Sequence, residues 1–432
     1  MQKINVVTLG CAKNLVDSEI LMRQAKANGF QIIHDSNDIS ARTVIINTCG
    51  FIRDAKQESI DTILDWVHAK ENGDIDNLFV MGCLSERYKK DLQEEIPEVD
   101  QYFGVNDLRQ IIEKLGGKYK QELVGERLLS TPGHYGYLKI SEGCDRKCSF
   151  CAIPLIRGRQ VSKSFEVLVA EAEFMASQGV KELILIAQDL TAYGMDLYKR
   201  QALSELLDQL VPIKGIAWIR LHYAYPANFP VDVLDRIREY DKICNYLDIP
   251  FQHIYDEVLK KMHRGISHDE TVRLIDLIRD KVPGIAIRTT LLTGHPGESD
   301  QAFAGLKSFV QQQQFERVGV FNYSEEEDTF AANHFKDEIP EEVKLKRLEE
   351  IMEIQDDISL AGNQKLIGKH LKVLIDRQEG EFMIGRTEFD SPEIDQEVLV
   401  RSDKNLDTGS FYFVEITGAE THDIYGTIIG DR

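Results

Sequence analysis

Along residues 1–131, short runs of apolar and mostly β-branched residues alternate with longer stretches whose apolar positions recur every three or four residues. The runs 4–9 (INVVTL), 43–47 (TVIIN) and 78–81 (LFVM) are apolar nearly throughout and are followed by Gly or Asn turns. That is the pattern of strands buried on both faces of a parallel sheet. The intervening stretches 15–28 and 53–70 stop beside Gly29 and Gly73, and Gly just past a helix is a usual terminator. A small doubly wound parallel α/β sheet is predicted, ending at the breaker cluster Thr131-Pro132-Gly133.

From Gly136 the alternation resumes, with strands predicted at 137–140, 182–187, 217–222, 246–249, 285–291 and 318–323, and helices such as 164–177 and 267–281 between them. Six β-then-α repeats in about 190 residues suit a partial (β/α) barrel, since eight would need more chain. A helix led by Pro340, with Leu348, Ile351, Met352 and Ile358 on one side, is expected to close it. After Gly362 only short strands remain, at 371–375, 382–386, 397–400, 411–416 and 424–429. They predict a small antiparallel barrel of the OB type. The α/β chain thus divides into 1–133, 134–363 and 364–432.

Composition narrows the functional classes. The 432 residues carry 51 Lys+Arg against 72 Asp+Glu, a net charge of −21. Such acidity gains little from counterion release at phosphates, so non-specific nucleic-acid binding is disfavoured. Residues 364–432 hold 8 basic and 14 acidic side chains, or −6, which is unusual for an OB-like barrel meant to bind a polynucleotide. No apolar run approaches the ~18 residues of a membrane span and no signal-peptide layout opens the chain, so a cytoplasmic protein is expected. Seven cysteines, an odd number in a reducing compartment, argue for metal ligation rather than a disulfide framework.

The strongest chemical signal is Cys144-x3-Cys148-x2-Cys151, directly after the first strand of the central barrel. Three thiolates on one loop can hold three irons of a 4Fe-4S cluster and leave the fourth open to a reactant, whereas electron-transfer clusters use four cysteines. Zinc is the alternative, but it prefers paired Cys-x2-Cys motifs, and no second pair lies nearby. Cys11, Cys49 and Cys83 each follow a predicted strand of the first sheet and each adjoins a Gly. Parallel strand ends meet at one crevice, so these three thiols read either as a second open cluster site or as buried packing residues. Cys244 reads as packing, His222, His253 and His263 as packing or hydrogen-bonding residues, and the acidic run 325–328 as a solvated loop rather than a docking site.

Longer motifs carry a resemblance: TLGCAKNLVDSE at 8–19, NTCGF at 47–51, SEGCDRKCSFCAIPLIRG at 141–158, AQDLTAYG at 187–194, IPFQHIYDEVLKKMHRG at 249–265 and TTLLTGHPGE at 289–298. With Phe150 before its last cysteine, the loop resembles the radical S-adenosylmethionine (SAM) superfamily, and the whole chain resembles its methylthiotransferases, which end in a TRAM domain. The resemblance implies SAM chelated at the open iron of the Cys144/Cys148/Cys151 cluster, and a second 4Fe-4S cluster on Cys11, Cys49 and Cys83. Reduction would cleave SAM to a radical that abstracts hydrogen from an unactivated C–H bond. A low-potential donor such as flavodoxin or ferredoxin would supply the electron; the sulfur donor is not readable.

Within the family, Ser141-Glu142 and GRTEFDSPEID at 385–395 are similar to the branch that modifies small-subunit ribosomal protein S-twelve at the β-carbon of an aspartate. The acidic C-terminal segment suits a basic protein better than tRNA, the substrate of the rival branch; strong tRNA binding is not expected. Glu388, Asp390, Glu393 and Asp395 are then expected to face that protein, or else to hold a turn around Pro392 or merely keep the segment soluble. A non-catalytic iron-sulfur carrier is the remaining alternative. Phe150, Gln188, Asp189, Gly294, Gly297 and Glu298 are the implied SAM-pocket residues. Gln188 and Asp189 either reach the ligand or cap the following helix, and 294–298 either admit backbone to SAM or merely turn. Two departures fall near this pocket: His295 replaces a common Phe, and Ile254-Tyr255 replace small residues.

Overall fold

The computed structural model describes residues 2–36, 40–402 and 406–430. Its first sheet is wholly parallel, in the order Gln31–His34, Lys3–Thr8, Thr43–Thr48, Asn77–Gly82 and Gln101–Tyr102. The three inner strands are those predicted. The outer two are not, because Gln31–His34 is a half-exposed edge with two apolar residues and Gln101–Tyr102 is only a two-residue pairing. Side chains alternate between faces along a strand. Val44, Ile46 and Val80 accordingly pack with Ile63 and Leu84 of the helices Arg53–Glu71 and Cys83–Glu95, whereas Ile45 and Phe79 pack with Leu21 and Met22 of Ala12–Ala27. Strand order reverses between Lys3–Thr8 and Thr43–Thr48, which opens a ligand crevice at their C-terminal ends.

The central sheet has six parallel strands in the order Arg317–Asn322, Ala286–Thr293, Ile243–Asp248, Trp218–Leu221, Glu182–Ile186 and Tyr135–Lys139. Its first and last strands do not pair, so the barrel is partial. Leu183, Leu185, Ile219, Leu247 and Ile287 bury against the outer helices through Leu168, Leu206, Leu234, Ile275 and Leu306. The predicted closing helix spans Glu341–Gln364, and its Arg347 pairs with Glu298 at 2.7 Å. The run 325–328 is not simply solvated: buried Glu326 pairs with Lys56, at 3.2 Å, and with Arg87, clamping the central part to the first sheet.

Five C-terminal strands, His370–Glu379, Phe382–Arg386, Glu397–Arg401, Asp423–Gly430 and Phe411–Ala419, close into a barrel in that order. One pairing, Glu397–Arg401 with Asp423–Gly430, is parallel, because a closed ring of an odd number of strands cannot alternate direction throughout. The acidic loop of this barrel docks on the central sheet. Asp395 takes Arg288 Nε (3.2 Å) and Tyr246 Oη (2.7 Å), Asp390 takes Arg317, Glu393 accepts from Tyr135 Oη (2.9 Å) and Glu388 from Asn245 Nδ2 (3.0 Å). The expectation that these four carboxylates face a protein partner is therefore corrected: Asp390 and Asp395 neutralise arginines of the same chain, and Glu388 and exposed Glu393 accept from its Asn245 and Tyr135. Among the described residues no helix is long and apolar enough to cross a membrane.

Candidate functional site

The first central strand leads into a two-residue strand, Ser141–Glu142, paired antiparallel with Val161–Ser162. This pairing closes the loop that carries three cysteines. Gly143 begins it with φ +77°, and a Cβ there would lie 2.2 Å from the Arg159 carbonyl oxygen, so only Gly fits. Backbone hydrogen bonds fasten the rest: Cys144 N–H to Gly158 O (3.1 Å), Ser149 N–H to Met262 O (3.0 Å) and Cys151 N–H to Cys148 O (3.2 Å).

Cys144, Cys148 and Cys151 line one cavity of about 240 Å³, together with Phe51, Phe150, Gln188, Tyr223, Tyr225 and Arg264. Donors point at the sulfurs. Arg264 Nη1 donates to Cys148 Sγ at 3.3 Å and Arg146 N–H to Cys144 Sγ at 3.4 Å; Tyr225 Oη lies 3.7 Å from Cys148 Sγ and donates its proton to the Arg264 carbonyl at 2.8 Å. Arg146 and Arg264 both lie over the Tyr225 ring, at 4.1 and 4.3 Å. Burial pushes the Cys144 thiol up to about 11 and Cys151 up to about 12, so free thiols would stay protonated at neutral pH. Metal coordination deprotonates a thiol outright, and hydrogen bonds to cluster sulfurs are a known lever on potential. Among the described residues no three His, Cys, Asp or Glu groups converge on a single ion; ligands on the corners of a cluster stand farther apart than those of one ion. The donor set fits a 4Fe-4S cluster.

The other triad forms at the crevice of the first sheet. Cys11 caps the helix Ala12–Ala27, Cys49 follows Thr43–Thr48, and Cys83 opens the helix Cys83–Glu95. The adjoining glycines let these segments touch. A Cβ on Gly10 would lie 2.7 Å from Cys49 Cβ, and one on Gly50 would lie 2.5 Å from the Leu84 nitrogen. Burial first, and then the neighbouring thiols, raise Cys49 and carry Cys83 to about 11. The three sulfurs are electrostatic neighbours, a donor set that fits a second cluster.

A polar network spans the two triads. Arg157, in the short helix Ile153–Arg157 just past Cys151, donates to Cys83 Sγ (3.3 Å) and to Asp17 (2.6 Å), and reaches Glu142 at 3.2 Å. Lys139 pairs with Asp17 and with Glu142 (2.6 Å). Against the upward push of burial, Lys139 and Arg157 hold the Glu142 carboxyl at about 2. Gln188 Nε2 donates to that carboxylate at 2.5 Å. Phe51, two residues past Cys49, lines the cavity of the other triad.

Of the residues expected in a SAM pocket, Phe150 and Gln188 line the cysteine cavity. Asp189 is buried; it accepts from Thr191 N–H (2.9 Å) and pairs with Arg146 (2.6 Å), a cavity residue. Gly294, Gly297 and Glu298 are not among the described residues lining that cavity. Gly294 and Gly297 press on Lys344 and Lys261, and Glu298 accepts the Gly294 N–H (3.0 Å). This turn braces the cysteine loop from behind through His295, 3.3 Å from Ser149 Oγ and edge-on to Phe150. Sequence alone assigns no role to Arg146, Arg157, Arg264 and Tyr225, although Arg146 and Arg157 stand inside the motif at 141–158 and Arg264 inside that at 249–265; Glu142 is legible there only as a mark of the branch.

Residues 138–310 match the radical SAM superfamily, 3–104 the uncharacterized protein family UPF0004, and 367–429 the TRAM domain. Proteins named ribosomal protein uS12 methylthiotransferase RimO are similar over nearly the whole chain. That of Bacteroides thetaiotaomicron is 53% identical, covering 99% of this chain and 98% of its own; that of Christiangramia forsetii is 56% identical, covering 98% and 94%. Among solved structures, the radical SAM methyltransferase TsrM from Kitasatospora setae aligns with TM-score 0.56 at 15% identity, over 74% of this chain and 73% of its own. The cobalamin-dependent radical enzyme OxsB aligns with TM-score 0.53 at 13% identity, over 82% and 56%. At such identities these two share the fold.

Proposed function

The chain belongs to the RimO family of ribosomal protein uS12 methylthiotransferases and is a radical SAM enzyme; from that premise we propose that it places a methylthio group on the β-carbon of a uS12 aspartate, with Cys144, Cys148 and Cys151 holding one 4Fe-4S cluster and Cys11, Cys49 and Cys83 a second. The observation that carries this reading is the meeting of the triads: Arg157, on the loop of one, donates to Cys83 of the other, and Phe51, beside Cys49, lines the cavity of the first. When bound, cluster and SAM supply a carbon radical, the chemistry an unactivated C–H bond requires because no side-chain base can take its proton.

The protein's own groups prepare this chemistry. Arg264 and the Arg146 N–H spread the charge of the thiolates, and Tyr225, donating to the Arg264 carbonyl, holds Arg264 in place. Phe51 and Phe150 exclude water from the cavity, which protects a reactive radical from side reactions. Gln188, held by Glu142, presents its amide to the cofactor. Asp189 acts one step back, fixing Arg146. Gly294, Gly297 and Glu298 serve by holding His295 against the cysteine loop. A low-potential flavodoxin or ferredoxin supplies the electron, and the cytoplasm is where this substrate and reductant meet.

Mass spectrometry of uS12 and of bulk tRNA from cells lacking and then regaining the gene tests the reading. A methylthio mass gain on uS12 that follows the gene is expected. A gain that follows the gene on tRNA instead would overturn it.

A further inference from the structure

Lys13 stands two residues past Cys11, in a first helical turn that carries no acidic side chain. A cation there opposes the helix dipole, so the position does not serve helix stability. Its side chain instead crosses to the central barrel, where Nζ lies 3.1 Å from the ring centroid of Tyr223. Tyr223 is a wall of the Cys144/Cys148/Cys151 cavity. It is held there with φ +64°, a costly conformation for a tyrosine, by Asp248 accepting its N–H at 3.2 Å.

The neighbouring cations are committed. Lys139 and Arg157 share Asp17 and Glu142, Arg146 holds Asp189, and Arg264 bonds Cys148 and the Pro250 carbonyl. Among the described residues Lys13 makes no ion pair or hydrogen bond; its ammonium rests on the Tyr223 ring, with the buried Asp248 carboxylate as a more distant charge. A half-buried ammonium with a π face as its partner, placed between the two cysteine triads, is a ready site for an incoming anion.

We propose that the Lys13 ammonium binds the side-chain carboxylate of the target aspartate and so selects Asp over Asn. The inference rests on the functional reading above. In aspartate the β-carbon is bonded directly to the carboxylate carbon, so an anchored carboxylate holds the reacting carbon about 1.5 Å away. Hydrogen must leave that carbon toward one triad and sulfur must arrive from the other, and Lys13 reaches from the sequence neighbourhood of Cys11 to the wall of the opposite cavity. A carboxamide offers the same shape without charge. It would lose the charge-assisted hydrogen bond while leaving the ammonium unpaired.

The test uses the full chain, purified uS12, and uS12 with the modified aspartate, located by mass spectrometry, changed to Asn. Binding of both forms is measured by calorimetry for wild type, Lys13→Met and Lys13→Arg, with iron content checked for each variant. Wild type should bind the Asp form about 10-fold or more tightly than the Asn form, the size of a hydrogen bond to a charged group. Lys13→Met should bind both forms alike, and Lys13→Arg should recover part of the preference. An intact Asp preference in Lys13→Met, or a loss of SAM affinity with that preference kept, overturns the role of Lys13 alone. A wild type that neither binds nor modifies uS12 overturns the functional reading itself.

Discussion

Arg386 of the C-terminal barrel and Glu182 at the start of a central strand form a 2.8 Å ion pair in which both side chains are buried. Glu182 also takes Arg220 at 2.7 Å, and Arg386 also takes Asp376 at 2.6 Å. Two arginines and two carboxylates thus sit at one interface. Taking charges out of water is expensive, so such a cluster fixes geometry more than it adds stability, and removing one partner costs far more than the cluster itself is worth.

Glu182→Gln should therefore lower stability by about 3 kcal/mol or more, since it leaves Arg220 and Arg386 short of a counter-charge. The pH dependence follows the same carboxylates. Burial pushes Glu182 and Asp376 up, but their arginines and His134 hold both below the ordinary range. With the folded value below the unfolded one, the stabilisation is present above the unfolded value of about 4 and is lost as pH falls toward the folded one. Between about pH 5 and about pH 3 the denaturant midpoint should fall more for wild type than for Glu182→Gln. An equal drop would remove Glu182 from the acid response.

Two features of the chain made the site legible before the structure. Thiols recur at strand ends and at fixed loop spacing, so both cysteine groups stand out as candidate ligands. The strands of the central barrel are apolar enough to be found one by one. What escaped depends on pairs distant in sequence. Asp390 and Asp395 display charge but not burial, and with Glu388 and Glu393 read as a surface. The missing clue was on the other side: Arg220, Arg288 and Arg317 sit singly within or at the start of apolar strands, and a buried arginine needs a counter-charge. Arg264 and Tyr225 meet at Cys148 only through the closing of the barrel.

Loading each triad separately should show in iron content. The reconstituted protein should hold about eight irons, and Cys144→Ala with Cys148→Ala and Cys151→Ala should leave about four. The complementary triple change at Cys11, Cys49 and Cys83 should also leave about four. Iron analysis with electron paramagnetic resonance decides it, and a triple variant that keeps full iron would remove its cysteines from ligation.

Arg157 touches Cys83 from the loop of the other triad. A cation close to an anionic cluster favours its reduced, more negative state. In a background lacking Cys144, Cys148 and Cys151, Arg157→Gln should move the midpoint of the remaining cluster to lower potential by tens of millivolts, and Arg157→Lys should recover part of that. Redox titration followed by electron paramagnetic resonance reads the shift. An unchanged midpoint would reduce Arg157 to a packing role.

The docking of residues 388–395 changes what charge substitutions in the C-terminal barrel can report. Asp390 is buried beside Arg317, so Asp390→Asn leaves that guanidinium short of its counter-charge and should lower stability by about 3 kcal/mol or more, and with it the unfolding midpoint. Glu381 faces solvent with its side chain 69% exposed and, among the described residues, an ion pair only to Arg401, itself exposed. Exposed pairs contribute about 0–1 kcal/mol, so Glu381→Lys should leave the midpoint nearly unmoved while still changing the charge seen by a basic partner. Truncation after Gly362 would uncover Arg220, Arg288, Arg317 and Tyr246 at once, and a stability loss is expected before any effect on substrate is readable. Comparing the midpoints of the two point variants with their salt-dependent affinity for uS12 separates the roles. If Asp390→Asn kept wild-type stability and lost affinity, the buried pairing would not be what this loop is for.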